Sequence, residues 1–144
     1  MNLNMSSLNG KWKGSFIYDT QFDKNKTEHH FEMSLLIDDE DDISGEIRDL
    51  RAEEGFPGPA KITGFVDGED ISFIKQYPYL FLYNEQGEVI IDKTKPHPEI
   101  HYHGTIGEEG IQGEWDMEAD VLFKVGEYHA QMLFGTWEMK KFED

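Results

Sequence analysis

The run Phe31-Glu32-Met33-Ser34-Leu35-Leu36-Ile37, followed by Asp38-Asp39-Glu40-Asp41-Asp42 and then Ile43-Ser44-Gly45-Glu46-Ile47, decides the fold. On both sides of the acidic block, apolar residues take every second position, with Leu36 the one exception. A period of two marks a strand with one buried face and one wet face. Asp suits a tight connection, because its short carboxylate bonds nearby backbone groups. The stretch reads as a β-hairpin whose inner face carries Phe31, Met33, Leu35 and Ile37, then Ile43, Gly45 and Ile47.

The same period extends in both directions. Toward the N-terminus, Trp12, Gly14, Phe16 and Tyr18 share a face opposite Lys11, Lys13 and Ser15. Toward the C-terminus come Ile62, Gly64 and Val66, a turn at Asp67-Gly68-Glu69-Asp70, and then Ile71, Phe73, Lys75 and Tyr77. Tyr79 to Tyr83 and Glu88 to Asp92 form a further hairpin through Asn84-Glu85-Gln86-Gly87, where Gly can supply a positive φ. Pro96 and Pro98 then interrupt pairing, since proline has no N–H to give a ladder. The pattern resumes with Ile100, Tyr102, Gly104 and Ile106, with Ile111, Gly113, Trp115 and Met117, and with Tyr128 to Lys140. Within Met117 to Val125, the residues Glu118 to Lys124 fit a short helix, a strand or a lid loop.

A short pattern repeats along these strands: apolar, any, Gly, any, apolar. It occurs at Ile43–Ile47, Ile62–Val66, Tyr102–Ile106 and Ile111–Trp115. In each copy the Gly shares the face of the two apolar residues, so it points inward, where a missing side chain lets a strand bend as closed sheets require. The reading is an all-β, antiparallel up-and-down meander barrel of about 8 to 10 strands, a number at which a sheet closes without open edges. One helical turn around Ser6 to Asn9 would cap it.

Composition agrees with a single domain over residues 1–144. A chain of 144 residues can bury about 70% of its unfolded surface in one core. Ten Phe, six Tyr and three Trp supply large rings for that core. There is no cysteine, which removes disulfides, thiolate zinc sites and cysteine nucleophiles. The formal charge of −17 repels polyanions, so nucleic acid and anionic membranes are not expected partners. Met1 to Asn9 lack the basic start and apolar stretch of a secretory signal, so a cytoplasmic location is expected and Asn25-Lys26-Thr27 reads as a chance glycosylation pattern.

Gly10-Lys11-Trp12-Lys13-Gly14, opening a meander of this length, resembles the first strand of calycin-type barrels such as lipocalins and avidins. Gly135-Thr136-Trp137-Glu138-Met139, with Ile111 to Trp115 before it, is similar to their closing strands. The resemblance implies a barrel open at one end, with room for a hydrophobic ligand. No stretch matches the ligand-contacting residues of avidin position by position, so it implies no biotin site.

Candidate site residues follow from the inferred faces. Lys75 shares the inner face with Ile71, Phe73 and Tyr77, where it would clamp a carboxylate or phosphate ligand, or else snorkel to solvent or pair with an acid. Trp12, Tyr18, Tyr77, Tyr102, Trp115 and Tyr128 fall on the same face; they either orient a ligand or pack as a core that fills the barrel. His101 and His103 lie two apart on the outer side of a strand, and with His129 they are weak candidates for zinc; the competing reading is incidental surface histidines. The block Asp38 to Asp42 lacks calcium-loop spacing, and no nucleophile elbow or phosphate-cradling loop is present. Nothing in the sequence calls for a cofactor.

The leading expectation is a module that binds a small hydrophobic or amphipathic molecule, with an acidic end group at Lys75. The alternatives are a barrel enzyme, acting as an isomerase, a cyclase or a metal-assisted hydrolase, and an interaction domain with a filled core. The outward apolar residues Ile17, Leu36, Phe65, Ile74 and Trp137 mark where a homodimer face would form.

Overall fold

In the computed structural model, residues 8–19, 28–50, 58–83, 89–124 and 127–143 are described, apart from the side chains of 82, 83, 89, 119–124 and 127–131. Ten antiparallel strands follow one another: β1 (Gly10–Tyr18), β2 (His29–Ile37), β3 (Asp42–Asp49), β4 (Ala60–Asp67), β5 (Asp70–Gln76), β6 (Leu80–Tyr83), β7 (Val89–Asp92), β8 (Ile100–Ile106), β9 (Ile111–Lys124) and β10 (Glu127–Glu143). Eight of them close a barrel in the order β1-β10-β9-β8-β5-β4-β3-β2, while β6 and β7 pair only with each other. The meander is interrupted once, where β5 pairs directly with β8 and the β6–β7 hairpin stands aside. Pro78 precedes that hairpin, and Pro96 and Pro98 follow it. These prolines cannot donate to a ladder, which keeps the flanking chain out of the barrel wall.

The two ends of the barrel differ. At the lower end the turns are tight. Asp38 to Asp41 closes β2 onto β3, with the Asp38 N–H donating to the Asp42 carbonyl at 3.0 Å and the Asp38 Oδ1 accepting from Glu40 and Asp42 N–H groups. Gly68, at φ +63, opens the two-residue loop between Asp67 and Asp70, a conformation an L side chain resists. Leu8 is buried beneath this end, and its carbonyl accepts from the Trp12 indole at 2.9 Å. The helical turn expected there lies partly outside the described residues. At the upper end the connections are long, spanning 19–28, 50–59 and 77–99. The Asn25-Lys26-Thr27 pattern and the Asn84 to Gly87 turn fall outside the described residues.

Inside, alternation holds along the first strands: Trp12, Phe16, Phe31, Met33, Leu35, Ile43, Ile47, Ile62, Val66, Ile71 and Phe73 are all buried, and Leu36 is exposed. A ring cluster fills mid-barrel, with Phe73 stacked on Tyr102 at 4.8 Å and Trp137 edge-on to both at 5.5 and 5.4 Å. Such pairs add about 0.5 to 1.5 kcal/mol each beyond area burial. The inward glycines make this possible. A Cβ on Gly104 would stand 2.7 Å from Cζ2 of Trp137, and one on Gly135 would stand 2.7 Å from Nε1 of Trp115. The indoles lie in the space these glycines leave. Trp137 Nε1 donates to the carbonyls of His103 and Glu114, and Trp115 Nε1 donates to that of Ile17 at 3.0 Å.

Two expectations are corrected in the last strands. Trp137 is 3% exposed; it belongs to the core and not to an outer dimer face. On β10 the inner face carries Gly135, Trp137 and Met139, whereas Met132 and Phe134, which share the parity of Tyr128 and hence its expected inner face, are exposed. Both parities of that strand are apolar, so the period alone selects neither face. Met117 to Lys124 is strand: β9 and β10 remain paired to Lys124 and Glu127, beyond the ranges in which β8 pairs β9 and β1 pairs β10. The two strands therefore continue past the upper rim as a ribbon.

Candidate functional site

At the upper end of the barrel the otherwise apolar interior contains charge. Lys75, the last inward residue of β5, is fully buried. Its Nζ lies 3.0 Å from Oδ1 of Asp49 at the end of β3, and the two side chains are 1% and 0% exposed. The strand between them, β4, presents the small Ala60 inward at this end. The Tyr77 hydroxyl donates a hydrogen bond to Oδ2 of the same carboxylate. The Lys75 ammonium also lies 4.6 Å from the ring centre of Tyr77 and 5.0 Å from that of Phe16. These are distances at which a ring face attracts a cation.

The arrangement meets the conditions under which a buried charge pair persists: close opposite charges, with hydrogen bonds on the remaining atoms. It is electrically neutral as a unit. Of the readings open for Lys75, the structure selects pairing with an acid. The acid is Asp49, whose place could be read from its sequence, because Ile43, Gly45, Ile47 and Asp49 share one parity.

The base of the β6–β7 hairpin lies against this pair. Tyr77, Phe81 and His97 form a three-ring cluster with centroids 4.7 to 4.9 Å apart. His97 is 3% exposed. Its backbone carbonyl accepts from the Gln76 side chain at 3.0 Å, and its Nδ1 faces the Pro98 carbonyl at 2.9 Å. Burial pushes the imidazole pKa down to about 4; the charge of Lys75 lowers it further, while the Pro98 bond and Asp49 oppose the shift. His97 is therefore neutral at physiological pH. No sequence period marks it, since it lies between two prolines. Phe16, Tyr18, His29 and Trp115 form a second ring group at the upper end, Phe16 stacking on His29 at 5.0 Å and Tyr18 standing edge-on to Trp115 at 5.0 Å.

The residues expected to form one site are spread along the barrel. Lys75 and Tyr77 belong to the upper polar cluster, Tyr18 and Trp115 to the upper ring group, Tyr102 to the mid-barrel stack, and Trp12 to the lower floor. The side chains of Tyr128 and His129 lie outside the described residues. His101 is half-buried and His103 exposed, both on the outer face of β8, where His103 Nδ1 lies 3.2 Å from the Ser72 hydroxyl. Among the described residues no three His, Asp or Glu side chains come together as a metal site. A groove of about 510 Å³ crosses the outer wall over β1, β10 and β9, lined in part by Ser15, Ile17, Glu114, Thr136 and Glu138.

No protein-family model matches the chain, and no curated protein matches it. Among solved structures, that of the rhizavidin–biotin complex is similar, with a TM-score of 0.51 at 12% sequence identity over 99% of this chain and 100% of that one. The barrel is avidin-like. At this identity the likeness concerns the path of the chain. The β6–β7 hairpin, with His97 behind it, places its own side chains against the upper end of the avidin-like barrel.

Proposed function

We propose that the chain is a small-molecule-binding module whose ligand sits at the upper, loop-rich end of the avidin-like barrel. One observation carries the reading: a charged pair, a tyrosine hydroxyl and a neutral imidazole are buried together at the upper end of the barrel. Burying such groups is costly, and ligand sites are apolar enclosures with a few convergent polar groups of this kind. The similar structure is a complex with a small molecule, biotin, which supports the same use of the fold.

The chemistry of the cluster narrows the ligand. Because Asp49 already neutralises Lys75, a fully charged acid would have to compete with that carboxylate, whereas a neutral polar group meets no such opposition. The rings of Phe16, Tyr77 and Phe81 favour a largely apolar body. The ligand is thus a small, amphipathic, uncharged molecule.

Native mass spectrometry of untagged protein, compared with the same sample after denaturation, tests the reading. An organic mass retained in the folded protein and released on unfolding is expected. Absence of any such mass, together with no shift in melting temperature across a panel of small neutral aromatic compounds, would remove the ligand-binding assignment.

A further inference from the structure

We propose that His97 is the recognition residue of this site, its Nε2 accepting a hydrogen bond from a neutral N–H or O–H group of the ligand. The inference rests on the reading that a small molecule binds at the upper end of the barrel, and it specifies what that molecule must carry.

The geometry fixes the state of the ring. A carbonyl oxygen can only accept, so the 2.9 Å contact with the Pro98 carbonyl requires the proton on Nδ1. A neutral imidazole with Nδ1–H carries its lone pair on Nε2. Among the described residues no donor reaches that atom, although the side chain is 97% buried by its 3% exposure. A buried acceptor left without a partner costs about 1 to 3 kcal/mol. Tyr77 and Phe81 pack against the ring, with centroids 4.9 and 4.7 Å away.

The charges nearby select the kind of donor. Lys75 disfavours a second cation beside the ring, and Asp49 is already engaged by Lys75 and Tyr77. A metal ion or an ammonium group therefore gains little here, while an alcohol, phenol or amide N–H supplies the missing bond without adding charge.

Matched probes that differ by one donor provide the test: 4-propylphenol against 4-propylanisole, and benzamide against N,N-dimethylbenzamide. Affinity is measured by calorimetry, and the His97 Nε2 resonance is followed in nitrogen-15-labelled protein. The donor-bearing member of each pair is expected to bind about tenfold tighter, the value of one net hydrogen bond at the upper end of its range, and to move the Nε2 resonance. His97→Phe, which keeps a ring against Tyr77 and Phe81, should abolish the difference; His97→Gln, which returns an acceptor near the same position, should restore part of it. If neither variant folds, as judged by thermal melting, the wild-type comparison and the Nε2 resonance decide alone. Equal binding of both members with an unmoved Nε2 resonance overturns the role of His97 and leaves the ligand-binding reading standing. Binding of neither member of either pair, with no organic mass retained by the native protein, overturns both.

Discussion

Replacing Lys75 by Met removes one charge of a pair and leaves the other, Asp49, buried without compensation. Breaking a buried pair from one side costs about 3 to 5 kcal/mol, whereas replacing both members with apolar groups is often close to neutral. Lys75→Met should therefore lower the urea midpoint sharply, and Lys75→Met combined with Asp49→Leu should recover most of the loss. His97 makes stability depend on pH in a defined window. Its folded pKa, about 4, lies below the ordinary 6.5, so the unfolded chain takes up the proton first. The contribution is complete above about pH 6.5 and is lost as pH falls from there toward 4, in total about 3 kcal/mol at 1.36 kcal/mol per unit. Other groups titrate over the same range, so the measurement is a difference: between pH 7 and 4, wild type should lose about 3 kcal/mol more than His97→Phe.

At the scale of elements, Gly104 with Trp137 and Gly135 with Trp115 act as matched pairs across strands. A Cβ on Gly104 meets the Trp137 ring, and one on Gly135 meets the Ile17 carbonyl and the Trp115 indole, whereas one on Gly58 meets nothing within 4 Å. Overfilling a packed core costs about 1 to 3 kcal/mol. Gly104→Ala and Gly135→Ala should fall in that range and disturb the near-ultraviolet circular dichroism of the tryptophans, while Gly58→Ala should stay within about 0.5 kcal/mol of wild type. The apolar–x–Gly–x–apolar pattern is readable in the sequence; that Gly104 accommodates the indole of Trp137 is not, because that ring arrives from β10, two strands further along the chain. On β10 the limit is different. Met132 and Phe134 on one parity and Trp137 and Met139 on the other are all apolar, and pairing with β1 and β9 decides which faces inward.

For the whole molecule, closure of the eight-stranded sheet leaves the barrel wall without an unpaired edge, and the surface carries a formal charge of −17. Surface charge of one sign destabilises the compact state by self-repulsion, and the screening length is about 10 Å at 0.1 M salt. Raising sodium chloride from about 0.02 to 0.5 M should therefore increase the melting temperature, since repulsion among thirty acidic residues outweighs exposed pairs such as Arg48–Glu32. A melting temperature that falls with salt would mean that the surface pairs dominate instead.

By itself the sequence determined the strands, their inner faces through Tyr77 and the all-β barrel, because alternation with period two and the turn chemistry at Asp38 to Asp42 and Asp67 to Asp70 are local properties. It also placed Lys75 on the inner face. Tertiary structure alone decided that Asp49 is its partner, that the β6–β7 hairpin stands outside the wall, and that His97 is buried between Tyr77 and Phe81. Those relations join residues far apart in the chain, and they depend on the register and closure of the barrel, which no local period encodes.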